Sequence, residues 1–379
     1  MINQFLRRGP GIAEAIARLG KYQYAPELLS RLATYLRSLP APQLDHIPPT
    51  DLGHALGLDE QATLELLVAA VHEGLCDLYW TAHCAQCNQT AGEWAHLAGA
   101  QHETDCAGCG ARVELTLDQN LRVRFALNRH YRTGRLSVPA ATGSNPLITP
   151  VGAPLTGLDL LSLQVFRDLL AGEVLLPNES LRVTRIAILF SDLRGSTALY
   201  ARKGDPVAFG LVREHYALIG AQVRAARGAV VKMVGDGMMA SFADPAAALH
   251  ASLAIQQDLA RFNQARGLRG NDALQLKLGI HAGACLSVNL NGRMDYFGTA
   301  VNIAARVEGL AAGDDVVVTA AVLAEASARQ VLEEARRSGA QVSEFATSLR
   351  GLEEAVQVVR ITPRVALAGH AAVSARAGA

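Results

Sequence analysis

Ile186-Ala187-Ile188-Leu189-Phe190 is an unbroken apolar run, and Ser191-Asp192-Leu193-Arg194-Gly195-Ser196-Thr197 follows it directly. A short apolar run closed by turn residues reads as a buried strand, here delivering an acid and a Gly/hydroxyl loop at its end. Downstream, Asp205-Pro206 opens a helix whose apolar positions are Val212, Tyr216, Ile219 and Val223, with Gly228 closing it. Val230 to Met233 and Met238 to Phe242 flank Gly235-Asp236-Gly237, a hairpin with an acid at its tip. Asp244-Pro245 starts another helix; Leu274, Leu276, Leu278 and Ile280 then alternate as a strand with one apolar face. Thr299 to Leu310 reads as a helix, and Val316 to Thr319 and Val356 to Ile361 as strands. This order predicts a ferredoxin-like α+β sandwich.

If the first strand and the hairpin are neighbours, Asp192 and Asp236 converge. Paired carboxylates suit Mg²⁺, which keeps a few carboxylate ligands and completes its shell with substrate phosphates. Leu193 to Thr197, at a helix start, offers backbone N–H groups to a polyphosphate. Taken singly, either acid has an ordinary reading as a solvated turn residue.

Four ordered segments change that reading. Phe190 to Thr197, Lys232-Met233-Val234-Gly235-Asp236-Gly237, Gly279-Ile280-His281-Ala282-Gly283 and Asp295 to Arg306 occur in sequence. With them the chain resembles the class III nucleotidyl cyclases from about Val183 to Ile361. The resemblance implies that Asp192 and Asp236 bind two divalent ions, Mg²⁺ or Mn²⁺. It implies that Lys232 and Asp295 read the adenine edge and that Asn302 and Arg306 position the ribose and stabilise the transition state; Leu193, Arg194, Gly195, Ser196 and Thr197 are expected at the substrate on their own account, through the backbone N–H groups of a helix start. Their spacing of four puts Asn302 and Arg306 on one helix face.

The chemistry is consistent with these roles. A lysine donates to adenine N1 and a carboxylate accepts from its amino group; guanine inverts both, leaving mismatched polar groups. The resemblance therefore implies an adenylate cyclase, taking ATP to 3′,5′-cyclic AMP and pyrophosphate. Members build their sites across a dimer interface, and because Asp192, Asp236, Lys232, Asp295, Asn302 and Arg306 all occur in one chain, a homodimer is implied. Ser196 stands where many members have phenylalanine, and Arg350 where relatives often have lysine. Guanylate cyclase activity and a non-catalytic, nucleotide-sensing regulator are the alternatives.

The N-terminal half differs in kind. Cys84, Cys87, Cys106 and Cys109 are spaced C-x2-C-x18-C-x2-C, a strong signal for one structural Zn²⁺. His83, His96 and His102 lie nearby, but four thiolates suffice. Ala111 to Leu117 and Leu121 to Leu127 read as a hairpin, as in a zinc ribbon. Before them, Pro26 to Leu39, Thr50 to Leu56 and Asp59 to His72 read as helices and Leu75 to Trp80 as a strand, a winged-helix order. Between Ala41 and Trp80 stand seven acids and no Lys or Arg, which argues against nucleic acid, since phosphate contacts need cations. This half is also similar to a winged-helix and zinc-ribbon region that precedes some bacterial cyclase domains. A regulatory protein or small ligand is the expected partner there.

The expected division is residues 1–80 (winged-helix-like), 81–132 (zinc ribbon), 133–182 (linker and connecting helix, around Leu160 to Leu170), 183–362 (catalytic) and 363–379 (Ala/Gly-rich tail). The 379 residues are half apolar and carry no net charge, with 35 basic against 35 acidic side chains, so neither disorder nor a nucleic-acid partner is indicated by composition. No apolar stretch reaches the roughly 18–20 residues a bilayer needs. A cytoplasmic protein is the expectation.

Overall fold

The computed structural model describes residues 11–132 and 154–364. Most of the linker expected between Tyr131 and Gly157, and nearly all of the tail, lie outside the described residues. The architecture is α+β, in two compact units.

The first unit spans the chain to Ile186 and adds Arg227–Ala229 and Gly283–Thr299. It opens with helices α1 (Ile12–Arg18), α2 (Pro26–Ser38), α3 (Ala41–Leu44), α4 (Pro49–Leu56) and α5 (Glu60–His72). Asp59 caps α5 by accepting from Ala62 N, as a capping residue should. α4 instead begins with Pro48 and Pro49, one residue before the expected Thr50, and its N-cap makes no side-chain hydrogen bond. Glu73, just past α5, receives Lys21, Tyr22 and His72. Burial pushes this carboxyl up, but those hydrogen bonds prevail and hold it at about 2.

Strands β1 (Cys76–His83), β2 (Thr90–Trp94), β3 (Glu103–Asp105), β4 (Arg112–Glu114) and β5 (Leu121–Leu127) follow. Here one expectation fails. The segments Ala111 to Leu117 and Leu121 to Leu127 do not form a hairpin: β4 pairs with β3, while β5 pairs with β1 from Cys76↔Leu127 to Ala82↔Leu121. Thr116 and Asn120 close the connection between them by side-chain hydrogen bonds, freeing β5 to cover the edge of β1. The connecting helix is likewise two short ones, α6 (Gly157–Leu161) and α7 (Gln164–Leu169), the first opened by a Thr156/Asp159 capping box.

The second unit holds the second half of β6 (Ser180–Leu193), then α8 (Ser196–Lys203), α9 (Asp205–Ala225), nearly all of β7 (Ala229–Val234), β8 (Gly237–Phe242), α10 (Pro245–Ala265) and the start of β9 (Leu276–Leu290). β10 (Arg293–Phe297) pairs antiparallel with the end of β9 and belongs to the first unit. The second unit continues with α11 (Thr299–Glu308), β11 (Asp315–Thr319), α12 (Ala326–Arg337), β12 (Gln341–Ser348) and β13 (Ala355–Thr362). The sheet runs β12-β13-β11-β9-β6-β8-β7. Its β9-β6-β8-β7 section, in chain order the fourth, first, third and second strands, is the ferredoxin-like arrangement.

Both sheet faces are covered. Leu189, Ala240, Leu278 and Val318 pack with Ile219 of α9, Ile255 of α10 and Leu332 of α12. Val317 and Val358, on the opposite face, pack with Val307 of α11. Alternate residues of β11 therefore serve two cores, which is why every one of its residues is buried.

Candidate functional site

The placement of Asp192 and Asp236 follows from strand register. β6 and β8 are antiparallel with Ser191 opposite Met238, so Asp192 and the β7–β8 turn arrive at one end of the sheet together. The turn is as tight as two residues allow, with Gly235 at φ +64. Gly237 presses against β6, where a β-carbon would stand 2.0 Å from Ser191 O and 3.3 Å from Asp192 Cα. Tyr216 of α9 donates to Gly235 O at 2.5 Å and braces the turn from its other side.

The two carboxylates have unequal surroundings. Asp192 Oδ2 accepts from Lys277 Nζ at 2.8 Å, and Lys277 also lies 3.5 Å from Glu308. Its hydrogen bond to Asp192 raises the Lys277 pKa. Asp236 Oδ2 is buried with no hydrogen-bond partner. Burial raises the Glu308 carboxyl, and both aspartates add to the rise. An orphaned carboxylate oxygen beside a second acid is an arrangement that a divalent cation completes, so the donor set fits Mg²⁺ or Mn²⁺. Lys277 and Glu308 escaped the sequence reading; an alternating strand shows that Lys277 faces away from the apolar side, not that it reaches Asp192.

The loop after Asp192 is preformed. Leu193 is buried, Arg194 N donates to Gln275 O at 2.9 Å, and Gly195 takes φ +70 at the start of α8. No side chain caps that helix, and Ser196 and Thr197 occupy its first turn, where N–H groups have no intrahelical acceptor. On α11, Asn302 is exposed and Arg306 half-buried, while Ala300, Ala304 and Val307 face inward. Arg306 reaches the loop at Gly351, with Nη2 3.5 Å from where a β-carbon would lie. Lys232 sits on β7, half-buried. Asp295 sits on β10, 6% exposed, its Oδ1 accepting from Tyr296 N at 2.8 Å.

The four cysteines form a second centre in the first unit. Their sulfurs all lie within 4.8 Å of one another, with Cys84 to Cys109 at 3.7 Å and Cys87 to Cys106 at 3.5 Å. Tetrahedral zinc with bonds of about 2.3 Å needs sulfurs about 3.8 Å apart, so the cluster fits such an ion. The two knuckles repeat one geometry. Asn88 N bonds to Cys84 O and Gly110 N to Cys106 O, each at 2.8 Å, with positive φ at Asn88 and Gly110. Backbone N–H groups of Cys109 and Gly108 bring the Cys106 thiol down to about 7. The nearby histidines are engaged elsewhere: His96 with Glu173, His102 with Glu179 and His83 with Arg122.

Residues 179–347 match the family described as the adenylate and guanylate cyclase catalytic domain, and residues 14–140 match a family of unknown function. Residues 179–347 are thus similar to class III cyclase catalytic domains, and residues 14–140 to a family without an assigned role. An adenylate cyclase of Anabaena cylindrica is 29% identical over 47% of this chain and 36% of its own length. One from Mycosarcoma maydis is 31% identical over 38% of this chain and 6% of its own. The chain therefore spans about a third or less of these relatives. A solved structure of an adenylate/guanylate cyclase/hydrolase from Silicibacter pomeroyi is 27% identical, covers 48% of this chain and 98% of that one, and has a TM-score of 0.39. Among the described residues, no helix is long and apolar enough to cross a membrane.

Proposed function

We propose that the protein is an adenylate cyclase that converts ATP to 3′,5′-cyclic AMP and pyrophosphate. The observation that carries this reading is the convergence of Asp192 with Asp236, whose buried Oδ2 lacks a hydrogen-bond partner. The adenylate cyclases among its relatives support it. In this reading Asp192 and Asp236 hold Mg²⁺ or Mn²⁺, which when bound supplies charge for the attacking 3′-oxygen and the triphosphate. Leu193 to Thr197 present backbone donors to the phosphates. Lys232 and Asp295 recognise adenine by donating to N1 and accepting from the amino group. Asn302 orients the ribose, and Arg306 stabilises charge on the α-phosphate as the 3′-hydroxyl attacks.

Two such sites form in a homodimer, with metal acids from one subunit and Asn302 and Arg306 from the other. The cysteine cluster holds structural zinc, and the N-terminal region regulates turnover through a protein or small ligand. The test is purified protein with Mn²⁺ and either ATP or GTP, assayed for cyclic product beside Asp192→Ala. Cyclic AMP from the parent and a loss of about 100-fold or more in the variant are expected. Cyclic GMP as the main product, or no product from a dimer, overturns the reading.

A further inference from the structure

Asp295 sits on a short strand, and a base-reading carboxylate is only as selective as its placement. Within the first unit, α7 and the segment after it grip that strand at three points. Arg167 of α7 donates through Nη1 to Met294 O at 2.8 Å, and its guanidinium lies 5.6 Å from the ring centroid of Tyr296. Arg167 Nε is anchored to Leu161 O at 3.0 Å, so the guanidinium is tied to α6 as well. Eight residues on, Leu175 N donates to Met294 Sδ at 3.4 Å, and Leu175 O accepts from Asn289 of the facing strand at 2.7 Å. Met294 lies opposite Asn289 in the β9–β10 ladder.

Side chains alternate along a strand, so Met294 and Tyr296 share one face and Asp295 points from the other. Arg167 therefore holds both neighbours of Asp295 from behind, without standing on the side where Asp295 meets a base. The same segment is fixed at its far end. Glu173 accepts from Trp80 Nε1 at 3.2 Å and Leu97 N at 2.9 Å, and pairs with His96 at 2.7 Å. His96 and Leu97 lie in the stretch between the two cysteine knuckles.

We propose that Arg167 is the positioning residue for the nucleobase-reading acid Asp295, so that the segment joining the N-terminal region to the catalytic strands sets selectivity for adenine. The proposal rests on the cyclase reading of Asp295. Removing Arg167 withdraws its hydrogen bond from the Met294 carbonyl and its guanidinium from the Tyr296 ring, and the strand that places Asp295 against the amino group of adenine loses that support. The metal acids are untouched.

Equilibrium binding of 3′-deoxy-ATP and 3′-deoxy-GTP, which cannot cyclise, tests this in the full-length chain with Mn²⁺. In Arg167→Met, affinity for 3′-deoxy-ATP should fall about tenfold, with that for 3′-deoxy-GTP unchanged, because misplacement by about 1 Å is enough to forfeit such a contact. Arg167→Lys, which keeps a donor for Met294 O, should recover part of the difference. Matching thermal midpoints for Arg167→Lys and the parent exclude misfolding as its cause. An unchanged preference in both variants, or equal weakening of both nucleotides, overturns the proposal. Turnover of ATP by the parent protein tests the cyclase reading separately: a parent that selects adenine without cyclising it retains the role of Arg167 and loses the enzyme.

Discussion

Gly237 stands against Ser191 so closely that a β-carbon would lie 2.0 Å from the Ser191 carbonyl oxygen. Backbone cannot yield by that amount without shifting one strand along the other, and the residues beside the contact are Asp192 and Asp236. Gly237→Ala should therefore separate the two carboxylates. The expected outcome is a rise of at least about tenfold in the Mn²⁺ concentration for half-maximal activity, with destabilisation of about 1–3 kcal/mol. A metal titration of activity beside a thermal melt reads both.

Much of this was legible in the residues. The apolar run ending at Asp192 and the Gly235-Asp236-Gly237 tip carry their own signals, since a buried strand and a tight turn are local events. The fourth strand declared itself by the alternation of Leu276, Leu278 and Ile280. What failed was pairing. Nothing between Ala111 and Leu127 says that β5 crosses to β1 and leaves β4 with β3, because that choice depends on which edge lies open. The Asp192–Lys277 pair and the Arg167–Met294 bond join residues 85 and 127 positions apart, and no spacing rule reaches so far.

The adenine preference should depend on Asp295. The residue is only 6% exposed, so a substituted side chain cannot be replaced freely by water. Asp295→Ala is expected to reduce kcat/KM for ATP by about 10–100-fold, the cost of one missing buried acceptor, while changing the low rate with GTP much less. Parallel assays with the two nucleotides give the ratio directly.

Acid should weaken the fold in two stages. Burial lowers His281 and His83, each to about 4, from an ordinary value of 6.5. A histidine depressed in the folded state contributes stability that is complete above 6.5 and is lost as pH falls toward 4, because the unfolded chain binds the proton first. Glu73, held at about 2, adds a second loss as pH falls below 4.5. Denaturant midpoints should fall from pH 6.5 downward. His281→Asn, whose amide can still meet Thr319, should remove up to about one proton from the slope in that window.

The cysteine cluster should bind about one zinc per chain, as four thiolates close a tetrahedral shell. Cys106→Ser/Cys109→Ser should lose it, and a chelator should strip it from the parent with release of thiols. Metal content by mass spectrometry, beside thiol titration, checks both statements. With the thiolates no longer bridged, stripped protein should also become more susceptible to proteolysis at the knuckles.

Gly279 provides the sharpest test of how the site is assembled. A β-carbon there would lie 2.1 Å from Glu308 N and 2.3 Å from Glu308 Cα, so α11 rests directly on the backbone of β9. Gly279→Ala should push away the helix that bears Asn302 and Arg306, abolishing activity, while Asp192→Ala abolishes it by losing a metal ligand. If each site takes its metal acids from one subunit and its α11 residues from the other, a mixed dimer of these two inactive variants contains one intact site. Random exchange makes half the dimers mixed, so co-expressed variants should recover about a quarter of parental activity. Recovery near zero, with mixed dimers confirmed by differential tagging, would place the metal acids and the α11 residues of a site within one chain.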